Sequence, residues 1–109
     1  MKLVLLKNTA DFSHERYSRA FSGQYLRIRY ARASQNFPRF GFIIPKKVIA
    51  KATDRNKIKR RLKTIAKNQV AKIKPADVLL FPATKSLKVN YSVLVNDFNK
   101  VLSQAKLWK

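Results

Sequence analysis

Residues 46–67 read KKVIAKATDRNKIKRRLKTIAK, and how this stretch folds decides how the rest of the chain must be arranged. Nine of the eighteen residues from Lys46 to Lys63 are Lys or Arg, and Asp54 is the one acid among them. That density exceeds what ordinary surface solvation needs. The run also has helical order. On a wheel of about 100° per residue, Ile58, Leu62, Ile65, Ala66, Gln69 and Ile73 share a mostly apolar side that can dock on a core. Asn56, Lys59, Arg60, Lys63 and Lys67 stand opposite, at spacings of three and four. Thr53 or Asp54 is expected to cap the helix start, because a short side-chain oxygen there satisfies free N–H groups of the first turn. Arg55 falls on the apolar side, so it must fold back over the helix start or reach past a sheet edge.

A row of cations on a docked helix suits a ladder of phosphates, since each neutralised phosphate releases a condensed counterion. The plainer reading is a solvated, Lys-rich helix. Charge balance over the whole chain favours the first: the formal net charge is +20 over 109 residues, which repels itself in a folded state unless a polyanion compensates. A membrane surface fits less well. No apolar run reaches the roughly 18 residues of a spanning helix, and Leu3-Val4-Leu5-Leu6 is too short for a secretory signal. The absence of Cys removes any disulfide framework or thiolate metal site and is compatible with a cytoplasmic protein, the expected location. A 46% hydrophobic content, with seven Phe, four Tyr and a Trp, is enough for a real core, and one domain over residues 1–109 is expected.

Outward from the basic stretch, residues 11–21 (DFSHERYSRAF) place Phe12, Tyr17 and Phe21 within reach of one helical face, and a short helix is expected before Ser22-Gly23 breaks it. Residues 24–32 alternate: Leu26, Ile28 and Tyr30 on one side, Tyr25, Arg27 and Arg29 on the other, as in a strand with one basic face. Residues 39–45 (RFGFIIP) read as a second strand, expected to pair antiparallel with the first across a short turn. Beyond the basic helix and Lys74-Pro75, residues 78–81 form a continuous apolar run suited to a buried strand. From Asn90 on, Tyr91, Leu94, Val95, Phe98, Val101, Leu102, Ala105 and Trp108 recur at three and four, predicting a closing helix. The sum is an α+β fold with a central, mostly antiparallel sheet, about three helices and the order α-β-β-(β)-α-β-α.

The residues offer little for catalysis by the protein itself. Asp11, Glu15, Asp54, Asp77 and Asp97 are scattered, whereas metal-dependent phosphodiester cleavage needs acidic ligands that converge. His14 is the sole histidine, so a pair of imidazoles for general acid and base work is impossible. No Gly-rich phosphate loop occurs. No catalytic residue, protein-bound metal or cofactor is expected.

The segment Asp54-Arg55-Asn56-Lys57-Ile58-Lys59-Arg60-Arg61-Leu62-Lys63 resembles the motif of the bacterial ribonuclease P protein component, an Arg-Asn-Arg followed by Ile-Lys-Arg. Other elements agree in order: Asp11-Phe12, then Gly41 within Phe40-Gly41-Phe42, then Lys46-Lys47, and a close in Leu107-Trp108-Lys109. The third motif position is Lys57 where the family favours Arg, and Arg16 stands where an aromatic is expected, with Tyr17 beside it as stand-in. The resemblance implies a left-handed β-α-β crossover holding the motif helix. It also implies a division of labour. The RNA subunit would hydrolyse precursor tRNA at the 5′ leader with Mg²⁺, and the protein would bind that RNA and the leader.

Carried over to this chain, the resemblance assigns RNA contacts to Arg55, Asn56, Lys57, Lys59 and Arg60, and the same basic surface extends to Lys46, Lys47, Arg61, Lys63 and Lys67. Phe12, Tyr17 and Tyr30 would line a cleft where leader bases lie against aromatic faces. The expected partners are thus the ribonuclease P RNA and precursor tRNA, with no membrane and no obligate protein partner. The alternative is a small basic ribosomal protein, which explains the composition but not the ordered motif elements. A DNA-binding regulator is disfavoured because no second helix pairs with the basic one as in a helix-turn-helix.

Overall fold

The computed structural model describes residues 3–6, 17, 19–32 and 35–109. The strands are β1 (Val4–Leu5), β2 (Arg19–Ser22), β3 (Leu26–Arg32), β4 (Arg39–Phe42) and β5 (Ala76–Pro82). The α-helices among the described residues are α1 (Ala52–Gln69) and α2 (Tyr91–Gln104), and short 3₁₀ turns follow α1 and β5. The strands form one mixed sheet in the order β1-β4-β5-β3-β2. The fold is α+β, as expected.

The strand β5 sits at the centre, and its composition explains why. Six of its seven residues are buried, so both faces and both edges need cover. It pairs antiparallel with β3, Ile28 opposite Leu80, and parallel with β4, Phe40 opposite Val78. The expected hairpin of β3 with β4 therefore does not form. The two strands do run antiparallel, but β5 lies between them; direct pairing would have left this doubly apolar strand at an edge. Because β4 and β5 are parallel neighbours, the chain must cross over between them, and α1 is that crossover.

A second difference concerns the expected first helix. Its last residues belong to β2, which pairs antiparallel with β3 so that Phe21 faces Ile28. The spacing of Tyr17 and Phe21 fits a helical face, yet Arg19–Ser22 gains a ladder and a ring stack instead, Phe21 lying 6.1 Å from Tyr30 at 17°. Phe12 and the remainder of that segment, apart from Tyr17, lie outside the described residues.

Strand alternation divides the buried side chains between the two faces of the sheet. On one face Leu26, Ile28, Phe40, Val78 and Leu80 meet Ile58, Leu62 and Ile65 of α1 and Leu94, Phe98, Val101 and Leu102 of α2, the main core. On the other, Leu6, Tyr17, Ala31 and Leu79 form a smaller cluster with Ile43 and Phe81 at its margin.

Two buried carboxylates tie this framework together. Asp77 on β5 receives a two-pronged guanidinium from Arg39, its neighbour on β4, with Nε to Oδ1 and Nη2 to Oδ2 both at 2.8 Å. Asp97 of α2 accepts the backbone N–H groups of Gln24 at 2.9 Å, Tyr25 at 3.0 Å and Leu26 at 2.7 Å, which fixes the β2–β3 turn onto the helix. This close approach requires Gly23. A Cβ there would lie 2.6 Å from each Asp97 carboxylate oxygen.

Candidate nucleic-acid interface

The sheet holds α1 by the apolar stripe that the wheel predicts, with Ile58, Leu62, Ile65 and Ala66 buried. Its start differs from expectation. The N-cap is Lys51, without a side-chain bond, and Thr53 and Asp54 fall inside the first turn. There the Asp54 charge still complements the helix dipole. What secures the start is Arg55, whose Nη1 donates to the carbonyls of Ile49 at 3.0 Å and Ala50 at 2.7 Å. Of the two placements open to Arg55, the guanidinium takes the fold back over the helix start. The loop it closes is also held by Thr84, whose hydroxyl donates to the Val48 carbonyl at 2.7 Å.

The far end of α1 is anchored too. After the 3₁₀ turn Val70–Lys72, Ile73 forms an antiparallel bridge with Trp108. Lys74 N–H donates to the Leu107 carbonyl at 2.7 Å and Lys109 N–H to the Lys72 carbonyl at 2.9 Å. The Trp108 indole donates to Ser103 Oγ at 3.1 Å and packs edge-on against Phe98.

Between these two anchors the outer face of α1 is cationic. Asn56, Lys57, Lys59, Arg60 and Lys67 are exposed, while Arg61 and Lys63 are half-buried. Among the described residues none of these cations is ion-paired with a carboxylate; the one ion pair found there is Arg39 with Asp77. Thr53, Asn56, Lys59, Arg60 and Lys63 line a shallow groove of about 560 Å³ along the helix. A second groove, about 280 Å³, runs along the other edge of the same face between Lys57, Arg60, Arg61, Thr64 and Tyr91. Lys46 and Lys47 are exposed in the turn that leads into the helix. Of the residues expected to touch RNA, Arg55 is turned toward the protein's own backbone, and Arg61 Nη1 also reaches a backbone carbonyl, that of Val89 at 3.5 Å.

The expected aromatic cleft is not assembled as such. Tyr17 is 1% exposed within the smaller cluster, its carbonyl accepting from Arg29 Nε at 3.0 Å. Tyr30 packs against the main core on the opposite face of the sheet, its hydroxyl 3.5 Å from the Ala105 carbonyl. The two rings therefore do not share one cleft, because the alternation of β3 sends Tyr30 to the helix side. A further cavity lies at the end of the sheet. It measures about 470 Å³ and is lined by Tyr25, Arg27, Ile43, Lys47 and Phe81 among others. The Arg27 guanidinium lies 4.9 Å from the centre of the Phe81 ring, and Lys85 Nζ 5.5 Å from that of Tyr25. Sequence reasoning missed these pairs, since the first depends on the register that sets Arg27 opposite Phe81 and the second on how the 3₁₀ turn Thr84–Lys88 returns toward Tyr25. Tyr91 also differs from expectation: it fits the apolar repeat of α2, yet it is 39% exposed.

A helix with bare cations on a rigid α+β frame, next to cation–aromatic pairs, suits the phosphates and bases of a nucleic acid. Among the described residues no group of three or more His, Cys, Asp and Glu is placed to hold a metal, and no helix is long and apolar enough to cross a membrane. Asp77 and Asp97 are both engaged in the framework bonds given above.

These features define a small, cationic α+β protein built around one exposed basic helix. Residues 2–106 match the family model described as Ribonuclease P, so the chain belongs to the family of the bacterial ribonuclease P protein component. A ribonuclease P protein component of Thermus scotoductus is 31% identical over 106 residues, which cover 97% of this chain and 62% of that protein. One from Pseudanabaena is 29% identical over 89 residues, 80% of this chain and 77% of that protein. The chain thus spans less than two thirds of the length of the Thermus relatives. The solved structure of the Staphylococcus aureus RNase P protein superposes with a TM-score of 0.85 at 22% identity, covering 99% of this chain and all of that one. The Thermotoga maritima RNase P protein gives 0.72 at 22% identity over 79% of this chain and 82% of its own. At these identities the two structures show a common fold.

Proposed function

We propose that this chain is the protein subunit of ribonuclease P, an endoribonuclease in which it binds the RNA subunit and the 5′ leader of precursor tRNA. Hydrolysis belongs to the RNA subunit and its Mg²⁺ ions, and the protein supplies charge and shape in the cytoplasm. The observation that carries this reading, beside the family, is the row Asn56, Lys59, Arg60 and Lys63 on a helix fastened at both ends and free of carboxylate partners among the described residues. Lys46, Lys47, Lys57, Arg61 and Lys67 extend that surface. Arg55 acts one step back, holding the helix start.

The leader is assigned to the sheet-end cavity, where Arg27, Lys47, Tyr25 and Phe81 offer planar and charged groups together, and to Phe12 by the resemblance.

Drawing a leader's phosphates beside a large folded RNA concentrates negative charge. A cationic wedge lowers that cost and leaves Mg²⁺ less opposed by competing monovalent ions. Added to a bacterial ribonuclease P RNA and precursor tRNA, the protein is therefore expected to stimulate 5′ processing most at low Mg²⁺. Equal stimulation at saturating Mg²⁺ counts against the electrostatic account, and stable association with ribosomes without any stimulation would favour a structural ribosomal role.

Within the interface, Lys59→Ala combined with Arg60→Ala is expected to flatten the dependence of log affinity on log salt by about one unit for each phosphate left without its cation. Binding titrations at several salt concentrations measure this. Weaker binding with an unchanged slope would mean that the substitutions damage folding instead.

A further inference from the structure

We infer that Tyr91 is a stacking platform for one unpaired nucleobase of a bound RNA, in a subsite distinct from the leader cavity. This rests on the RNA-binding reading above and adds to it a site that the motif does not contain.

Tyr91 is the one large hydrophobic side chain exposed among the described residues. A single exposed apolar residue ordinarily needs no explanation in a folded protein. This one, however, forms a wall of the 280 Å³ groove whose other walls are Lys57, Arg60, Arg61 and Thr64. Those four lie at spacings of three, one and three along α1, so they form one edge of the helix, with three cations beside the ring. Tyr91 is held in place. It is the first residue of α2, directly after Asn90, whose side chain caps the helix by accepting from the Val93 N–H at 3.1 Å. From the α1 side, Arg61 Nη1 reaches the Val89 carbonyl at 3.5 Å, which ties the groove's two walls together.

The chemistry of the groove selects its occupant. Three cations call for phosphates, and an aromatic face among them calls for a flat apolar group carried on the same chain. A nucleotide supplies both. The base must be unpaired, because bases within an A-form duplex are stacked on each other and their faces are closed to side chains. The size also fits one ring system, since the groove falls below the roughly 300–1,000 Å³ of sites that enclose larger ligands. Arg60 borders this groove and the 560 Å³ groove alike, so a strand following the Lys59 and Lys63 row can pass one nucleotide over the helix edge onto Tyr91.

The test compares two probes bound to the full-length chain: hexauridylate and a ribose–phosphate chain of equal length without bases. Affinities are read by fluorescence anisotropy at one fixed salt concentration. For Tyr91→Ala, hexauridylate affinity is expected to fall about tenfold, the loss typical of removing one base–aromatic stack. The base-free chain should bind Tyr91→Ala and the parent alike, and Tyr91→Phe, which keeps the ring, should retain the parent's preference for hexauridylate. An equal loss on both probes means that Tyr91 only shapes the phosphate-binding helix, and no loss on either means that nothing stacks there; each overturns the inference. Stimulation of precursor processing at low Mg²⁺ is measured in parallel on the parent protein. If it persists while the stack fails, the subsite alone is refuted and the ribonuclease P reading stands.

Discussion

Asp97→Ala is expected to destabilise the fold by about 3–5 kcal/mol, because it removes one acceptor from three backbone donors at once. The carboxylate lies in the seam between α2 and the β2–β3 turn and is 5% exposed, so water can replace it only in part. The Leu26 N–H, at 2.7 Å the shortest of the three bonds, is itself buried. Net stabilities of small domains are of order 5–15 kcal/mol, so the loss is a large share of the total. A fall in Tm of roughly 10 °C or more follows for a domain of this size. Asp97→Asn should lose less, since one oxygen can still accept while its amide nitrogen faces a donor. Urea or thermal unfolding measures both variants, and a melting curve for Asp97→Ala that coincides with the parent's would refute the role given to the carboxylate. Gly23 belongs to the same arrangement. The three donors hold the carboxylate still, so it has no easy way to yield to an added Cβ.

The second large effect is expected at Arg39. Arg39→Ala takes the guanidinium fork from a carboxylate with no exposed surface, and breaking a buried pair by removing one partner costs about 3–5 kcal/mol. The position matters as much as the charge. Arg39 and Asp77 are register partners on the two strands that α1 connects, so the pair closes the base of the crossover. Arg39→Lys keeps the charge but not the planar fork and should fall between parent and Ala. Replacing both residues with apolar ones of similar volume should recover much of the loss, since a buried pair often does little better than good packing. The comparison is made by denaturant unfolding. A double variant as unstable as Arg39→Ala would show that the pair contributes more than removal of one partner's desolvation penalty.

What could be read from the sequence was what repeats locally. The apolar repeats from Ile58 to Ile73 and from Tyr91 to Trp108 carry the helical period over several turns, and the helices form over most of each; Ile73 and Trp108 lie beyond the helix ends and bridge each other. The alternation of Leu26, Ile28 and Tyr30 likewise marks β3. Strand neighbours are a different matter. Nothing within residues 24–45 says that β5, more than thirty residues later, will lie between β3 and β4; only its two-sided burial demands it. The four residues of β2 are too few to show a period of their own, and a helical spacing ran through them.

The site divides in the same way. Asn56, Lys59, Arg60 and Lys63 could be grouped from spacing because one helix presents them all. The turning of Arg55 onto Ile49 and Ala50 appeared as one of two geometric options, and only the packed loop chooses between them. Tyr17 and Tyr30 could not be assigned to faces without strand pairing. Tyr91 fits the α2 repeat by number, but a first-turn residue lies where the helix has only just begun to overlap its neighbours.

The bonds at the two ends of α1 bear on how selective it can be. Because the backbone beneath the charges is clamped at Arg55 in front and by the Leu107–Lys109 tail behind, little chain freedom is surrendered when a polyanion arrives. Only long side chains must settle. A template of this kind discriminates by spacing: a strand whose phosphates match the rise of the helix binds as it is, whereas one that does not must deform itself, as the protein will not.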